Sequence, residues 1–199
     1  MKRLQSSYHQ MGLENSKGLT LVEFMVSVLI LGLVLAVLFS VFTTTNRMYW
    51  RTSERSYLQM NSRAAIEVMA QEIRSAGCDP SGVGLGGILM ADSDSIRIQA
   101  DLNGDGAIQT NEPSEDVLYF FDSANQTLVR DPGTGPQIIV DNVTNVTFSY
   151  FDWANNSISM FPLPADSIAQ VRSIGVVITT EMQRGGQVNY ATRVGLRNL

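Results

Sequence analysis

The feature that most constrains this 199-residue chain is an uninterrupted apolar run from Phe24 to Phe42. The run has 19 residues, and its only polar side chains are Ser27 and Ser40. A helix of about 20 apolar residues spans the hydrocarbon core of a bilayer. A secretory signal peptide has a shorter apolar region that ends in a small-residue cleavage site, and no such site follows this run. The run therefore predicts a retained transmembrane helix.

The charges that flank the run do not decide its orientation. The positive-inside rule places the side with more Lys and Arg in the cytoplasm. Both sides carry three such residues, namely Lys2, Arg3 and Lys17 before the run and Arg47, Arg51 and Arg55 after it.

Glu23 is the unusual residue, because it is a carboxylate directly before the apolar run. An ionised group inside a bilayer costs roughly 2.5 kcal/mol or more, so such a residue is a candidate for a functional role. Such a residue requires a positive partner. The alternative is an ordinary single-span anchor with an incidental glutamate.

The segment KGLTLVE (Lys17 to Glu23), followed by the apolar helix, resembles the cleavage and methylation motif of type IV pilin-like precursors. The resemblance implies that a prepilin peptidase cuts after Gly18 and methylates the new terminus at Leu19, where the family most often has phenylalanine. It also implies that Glu23 pairs with the terminal amine of a neighbouring subunit during filament assembly.

Removal of residues 1–18 would leave 181 residues with a net charge of -7 and no histidine, because His9 is the only one. Catalytic triads with a histidine base, and histidine-ligated zinc, would then lack a required residue. Cys78 is the only cysteine, so neither a disulfide within the chain nor a two-cysteine metal site is possible. The acidic balance disfavours nucleic acid as a partner. We therefore expect no enzyme, although a hydrolase with paired carboxylates remains an alternative.

Beyond the apolar run, residues 46–76 predict an amphipathic helix with one buried face. Gly77 and Pro80 predict its end. A break near Thr43 to Asn46, where three threonines lower the helix propensity, is the alternative to one continuous helix. The residues of the predicted buried face are Leu58, Ser62, Ala65, Ile66, Met69, Ile73 and Ala76.

The rest of the chain predicts β-structure, since short runs of Ile, Val, Tyr, Phe and Thr alternate with Asp, Asn, Gly and Pro. The fold class is therefore α+β, with one antiparallel sheet packed on the long helix. The glycine-rich residues 77–87 predict a flexible loop, because no Gly-Lys-Ser/Thr follows as a phosphate loop requires. The predicted strands are Ser95–Ala100, Val117–Asp122, Thr127–Arg130, Gln137–Val140, Val143–Tyr150, Ser157–Phe161, Val171–Glu181 and Gln187–Leu196.

Residues 101–112, DLNGDGAIQTNE, satisfy the pattern D-x-[DN]-x-[DN]-G-x5-E of calcium loops. A glycine at the sixth position permits the sharp turn, and a closing glutamate binds with both oxygens. The alternative is a turn whose Asp, Asn and Gly content produces the match by chance. The predicted Ca²⁺ ligands are Asp101, Asn103, Asp105, Ala107 through its carbonyl, Gln109 through water, and Glu112.

These patterns predict four segments, namely a leader (1–18), a transmembrane and assembly helix (19–45), an amphipathic helix (46–77) and a β-rich head (78–199). The sequences IRSAG at 73–77 and RVGLRN at 193–198 resemble minor pilins of the PilW type and J-type minor pseudopilins of type II secretion.

The resemblance implies a minor pilin or pseudopilin that initiates or caps a filament. Its implied partners are other pilins and the prepilin peptidase. It would cross the inner membrane once with its head in the periplasm, before the filament crosses the envelope or reaches the cell surface. A filament-tip adhesin is the alternative from the class of binding proteins.

Overall fold

The computed structural model describes residues 18–109, 115–183 and 185–198. By contacts the chain separates into two compact units, Met1–Met48 and Tyr49–Leu199. The described elements are α1 (Leu21–Ser75), β1 (Ile88–Ala91), β2 (Ser95–Gln99), β3 (Asp116–Asp122), β4 (Thr127–Asp131), β5 (Gln137–Val140), β6 (Val143–Phe151), β7 (Ser157–Ile158), α2 (Ala165–Ile168), β8 (Ser173–Glu181) and β9 (Gln187–Gly195).

The described part of the first unit consists of the N-terminal portion of α1 and the three residues before it. Every residue from Gly18 to Phe42 is exposed. The hydroxyls of Thr43 and Thr44 donate to the carbonyl of Ser40 at 3.0 and 2.9 Å, so the helix accommodates both threonines. Of the two alternatives, the structure contains the uninterrupted helix.

In the second unit, α1 buries one face, as the spacing of its apolar residues predicts. The helix ends before Gly77, whose φ of 74° lies in the left-handed region that glycine adopts without strain. The Gly77 N–H donates to the carbonyl of Gln99 at 2.9 Å, which ties the helix end to β2. The buried residues of the helix are Leu58, Ser62, Ala65, Ile66, Met69, Ala70 and Ile73.

The prediction of one antiparallel sheet is wrong in number, because the strands form two antiparallel sheets. One sheet has the order β1-β2-β3-β4-β5 and the other β7-β6-β8-β9. The chain passes between them at Asp141 and Asn142, where Asn142 has a φ of 55°. That conformation turns the chain away from β5, so that β6 pairs with β7 and β8 instead.

All eight predicted strands are present, with small changes at their ends. The prediction omitted β1 and α2, which are only four residues long each. Strand β7 ends at Ile158 and not at Phe161, because β6, its partner, pairs only through Tyr150 and Phe151. The two elements missed are too short to show a periodicity.

One core joins the buried face of α1 to the inward side chains of both sheets. Inside it, the Glu72 carboxylate accepts hydrogen bonds from the Tyr119 hydroxyl and from Arg130, whose Nη2 lies 2.5 Å from Oε1. The side chains of Arg130 and Glu72 are only 11% and 15% exposed. Burial, reinforced by the neighbouring Glu72 charge, raises the pKa of Tyr119 above its usual range. This network connects the helix to β3 and β4.

Candidate functional site

The predicted calcium loop is built around the carboxylate of Asp101, which is fully buried. Asp101 accepts hydrogen bonds from the N–H groups of Gly104 at 2.6 Å and Gly106 at 2.9 Å, and from the Ser81 hydroxyl at 3.2 Å. Gly106 has a φ of 80°, so the sharp turn predicted at the sixth loop position is present. Asp101 therefore closes the first half of the loop on itself.

The next loop carboxylate, Asp105, faces Asn103 and Gln109. Asp105 accepts from the Ala107 N–H at 2.8 Å and from Asn103 Nδ2 at 3.2 Å, and its own N–H donates to Asn103 Oδ1 at 2.9 Å. Gln109 Nε2 donates to the same carboxylate. These bonds, led by the one from Ala107, lower the pKa of Asp105. Five of the six predicted ligand positions thus lie in one continuous turn.

Glu115 has a role in this loop that the sequence reasoning missed. Its side chain is 2% exposed, and it accepts hydrogen bonds from the N–H groups of Leu102, Asn103 and Gln109 at 3.1 to 3.3 Å. The predicted closing ligand, Glu112, lies outside the described residues. Across the described part of the chain, no group of three His, Cys, Asp or Glu side chains is positioned as a metal site.

The predicted processing site, Gly18 and Leu19, lies just before α1 and outside regular secondary structure. Leu19 is 74% exposed. A Cβ added at Gly18 would meet no atom within 4 Å, and the residue does not have a positive φ. The described fold of the chain therefore gives no reason for glycine at this position.

Helix α1 begins with a capping box formed by Thr20 and Glu23. The Glu23 N–H donates to Thr20 Oγ1 at 3.3 Å, while Glu23 Oε2 accepts from the Thr20 N–H and hydroxyl, both at 2.9 Å. This reciprocal arrangement satisfies N–H groups that the first helical turn leaves without partners. The Glu23 side chain is thus turned back toward Thr20, three residues before it.

The helix behind this cap is long and apolar enough to cross a membrane, and none of its most apolar 18 residues is buried. Its exposed side chains include Phe24, Leu29, Leu31 and Phe39, which are 57% to 68% exposed. Residues 14–39 match the family described as the prokaryotic N-terminal methylation motif. The chain carries this methylation motif. A comparison of the whole chain with curated proteins finds no match.

The methylation motif indicates a substrate of prepilin peptidase of the type IV pilin-like kind, and it implies assembly with other pilin subunits. It covers Gly18, Leu19 and Glu23 together with most of the apolar run. Sequence reasoning missed the role of Thr20 in this segment. The signal was available, because Thr20 to Glu23 has the T-x-x-E spacing of a capping box.

Proposed function

We propose that this chain is a minor pilin or pseudopilin, a structural subunit that helps to initiate or cap a type IV pilus or a related secretion filament. The observation that carries the proposal is the methylation motif at residues 14–39, together with a helix whose 18 most apolar residues are all exposed in the described part of the chain. The second compact unit, Tyr49–Leu199, contributes the specific surface of the subunit.

In this proposal, prepilin peptidase cuts between Gly18 and Leu19 and methylates the amine of Leu19. The exposed apolar helix holds the subunit in the inner membrane with its head in the periplasm, until the helix packs among other pilins in the filament. Both environments remove apolar side chains from water, which stabilises the subunit by about 25 cal/mol per Å². The chain performs no catalysis.

Mass spectrometry of the full chain, co-expressed with a prepilin peptidase, tests the processing step. The expected product begins with methylated Leu19. Gly18→Val should block cleavage, whereas Gly32→Val should not, although neither position has an atom within 4 Å of an added Cβ. An uncut chain, or a cut at another bond, contradicts the proposal.

The charge of Glu23 can be separated from its capping role. Glutamine also closes a capping box, so Glu23→Gln keeps the bond to Thr20 and removes only the charge. If Glu23 pairs with the amine of a neighbour, Glu23→Gln should prevent entry into the filament while cleavage continues. Thr20→Val is the matched variant, because it weakens the cap and keeps the charge. Filament entry by Glu23→Gln at the wild-type level would leave capping as the only role.

We also propose that Ca²⁺ binds the loop of residues 101–112, through Asp101, Asn103, Asp105, Ala107, Gln109 and Glu112. The donors fit calcium, which prefers six to eight oxygen ligands from carboxylates, amides and carbonyls. The left-handed turn at Gly106 and the side chains of Asn103 and Asp105 that face each other support this proposal. Bound Ca²⁺ would neutralise the loop carboxylates and stabilise the folded head.

Thermal unfolding of the full chain in detergent, with Ca²⁺ or with a chelator, tests the calcium proposal. We expect Ca²⁺, but not Mg²⁺, to raise the Tm. Asp105→Ala should abolish that rise. Asp152→Ala is the control, because Asp152 holds a different turn by accepting from Asn156 at 2.8 and 3.0 Å, and it should keep the response to Ca²⁺. An equal Tm with Ca²⁺ and with chelator contradicts the proposal.

A further inference from the structure

A groove of about 430 Å³ lies in the second unit between the start of its helix and the turn that separates the two sheets. Trp50, Glu54 and Tyr57 contribute from α1, and Asp141 and Asn142 contribute from the turn. Trp50 and Tyr57 are 54% and 51% exposed, which is unusual for large aromatic side chains. None of the roles proposed above uses this groove.

The groove combines the two kinds of group that bind an organic cation. The face of an aromatic ring attracts a guanidinium or ammonium group, and Trp is the best of the aromatic residues for this. A carboxylate pairs with the same group through charge-assisted hydrogen bonds. Glu54 already accepts from the Gln183 N–H, which fixes its position, and Asp141 is exposed with no side-chain partner among the described residues.

The same chain exposes a matching cation pair. Arg51 and Arg55 are four residues apart on α1, so they lie on one face of the helix. Both are exposed, and within the described part of the chain neither guanidinium forms an ion pair. Residues 78–199 carry 14 Asp and Glu against six Arg. The helix therefore presents positive charge beside an acidic head.

We propose that the groove of one copy binds the arginine pair, Arg51 and Arg55, of a second copy. The groove and the two arginines are different surfaces, so the contact is heterologous. When two copies bind in this way, one copy keeps an unoccupied groove and the other keeps unoccupied arginines. The inference rests on the proposed assembly function and adds to it the surfaces through which copies associate.

The test uses two full-length copies with different tags, co-expressed in the bacterial inner membrane and recovered together in detergent. When both copies carry Asp141→Arg, or both carry Arg51→Glu with Arg55→Glu, co-recovery should fall about tenfold. When one copy carries the groove variant and the other the arginine variant, one intact groove faces one intact arginine pair. Co-recovery should then return to about the wild-type level.

Matched controls are Asp166→Arg and Arg197→Glu, which change the same charges at exposed positions away from the groove. They should leave co-recovery unchanged. Near-UV circular dichroism confirms that each variant is folded, and Trp50→Ala gives a second groove variant that leaves the charge intact.

Unchanged co-recovery in either homotypic variant overturns the proposal. So does a mixed pair that fails to recover, because that result indicates a contact between identical surfaces. Loss in the arginine variant alone, together with weaker binding to vesicles of anionic lipid, assigns the arginines to a membrane instead. Mass spectrometry of the N terminus in the same samples reports separately on the proposed function, since an uncut wild-type chain refutes processing while co-recovery stays measurable.

Discussion

The two portions of α1 use apolar residues in opposite ways. Between Leu21 and Met48 nearly every side chain is exposed, although this portion contains the apolar run. Between Tyr49 and Ser75 the helix is more polar, yet it buries a continuous face that includes Met69 and Ile73, both 0% exposed. In the described part of the chain, the apolar side chains of the first portion are therefore uncovered, whereas those of the second portion pack on its own head.

This difference predicts which property a substitution in each portion should change. A change within the second portion alters the free energy of unfolding of the head, because the affected contacts lie inside the chain. A change within the first portion should alter membrane insertion, processing or assembly instead, if the proposed function holds, because its side chains are exposed in the described part of the chain. The four predictions below each measure the unfolding of the full chain in detergent. Glu72→Ala and Leu31→Ala test the two portions of α1, and Gly87→Ala and Asp116→Asn test other contacts of the second unit.

Glu72→Ala gives the largest expected effect. It removes the carboxylate that Arg130 and the Tyr119 hydroxyl share at the edge of the core. Removing one partner of a buried ion pair costs about 3–5 kcal/mol. We therefore expect chemical denaturation to show a loss near that size in the free energy of unfolding. Glu67→Ala on the same helix is the control, because Glu67 is exposed. Equal losses in the two variants would contradict the assignment of Glu72 to the core.

Gly87→Ala should give the second-largest effect, since an added Cβ would lie 2.4 Å from the Gly77 nitrogen and 2.7 Å from its Cα. Both contacts are with main-chain atoms at the end of α1, so the chain must shift, at a cost of about 1–3 kcal/mol. Gly86→Ala is the matched control, because no atom lies within 4 Å of its added Cβ. If Gly86→Ala is as unstable as Gly87→Ala, steric contact is not the cause.

Much of this fold follows from local patterns in the sequence. The apolar run, the buried helix face and all eight predicted strands depend on residue spacing, which sequence reasoning reads directly. The division into two sheets was missed, because it depends on the conformation of Asn142 and on which strands β6 pairs with. Pairing partners lie far apart in the chain, and no local spacing encodes them.

The candidate sites were likewise predictable only where their residues lie close together in the sequence. Glycine at position 18 and glutamate at position 23 lie in a compact segment of the sequence, residues 14–39, which matches the methylation motif. Glu115 could not be assigned from spacing, since it lies outside the 12-residue pattern and its role depends on how β3 returns to the loop. The groove beside Trp50 was also not predictable, because it combines residues about 90 positions apart.

Asp116→Asn tests an ion pair of the second unit through its dependence on pH. It should lower the free energy of unfolding by about 1 kcal/mol near neutral pH. Arg97 donates to both oxygens of Asp116 at 2.8 and 2.7 Å, and this bond lowers the pKa of Asp116. A lowered pKa stabilises the fold above the unfolded-state value, which is about 4, and this contribution is lost as pH falls through the folded-state pKa. The variant should therefore lose less stability than the wild type below about pH 4. An acid dependence of Asp116→Asn identical to that of the wild type would contradict the role of the ion pair.

Leu31→Ala should have the smallest effect on the free energy of unfolding. It is the most direct test of the difference between the two portions of α1. Leu31 is 57% exposed, so its truncation creates no cavity within the chain. The free energy of unfolding of the head should stay within about 0.5 kcal/mol of the wild type. Glu72→Ala in the same assay shows that a loss is detectable. A loss above about 1 kcal/mol for Leu31→Ala would mean that the apolar portion of α1 contributes to the stability of the head, and the distinction between the two portions would fail.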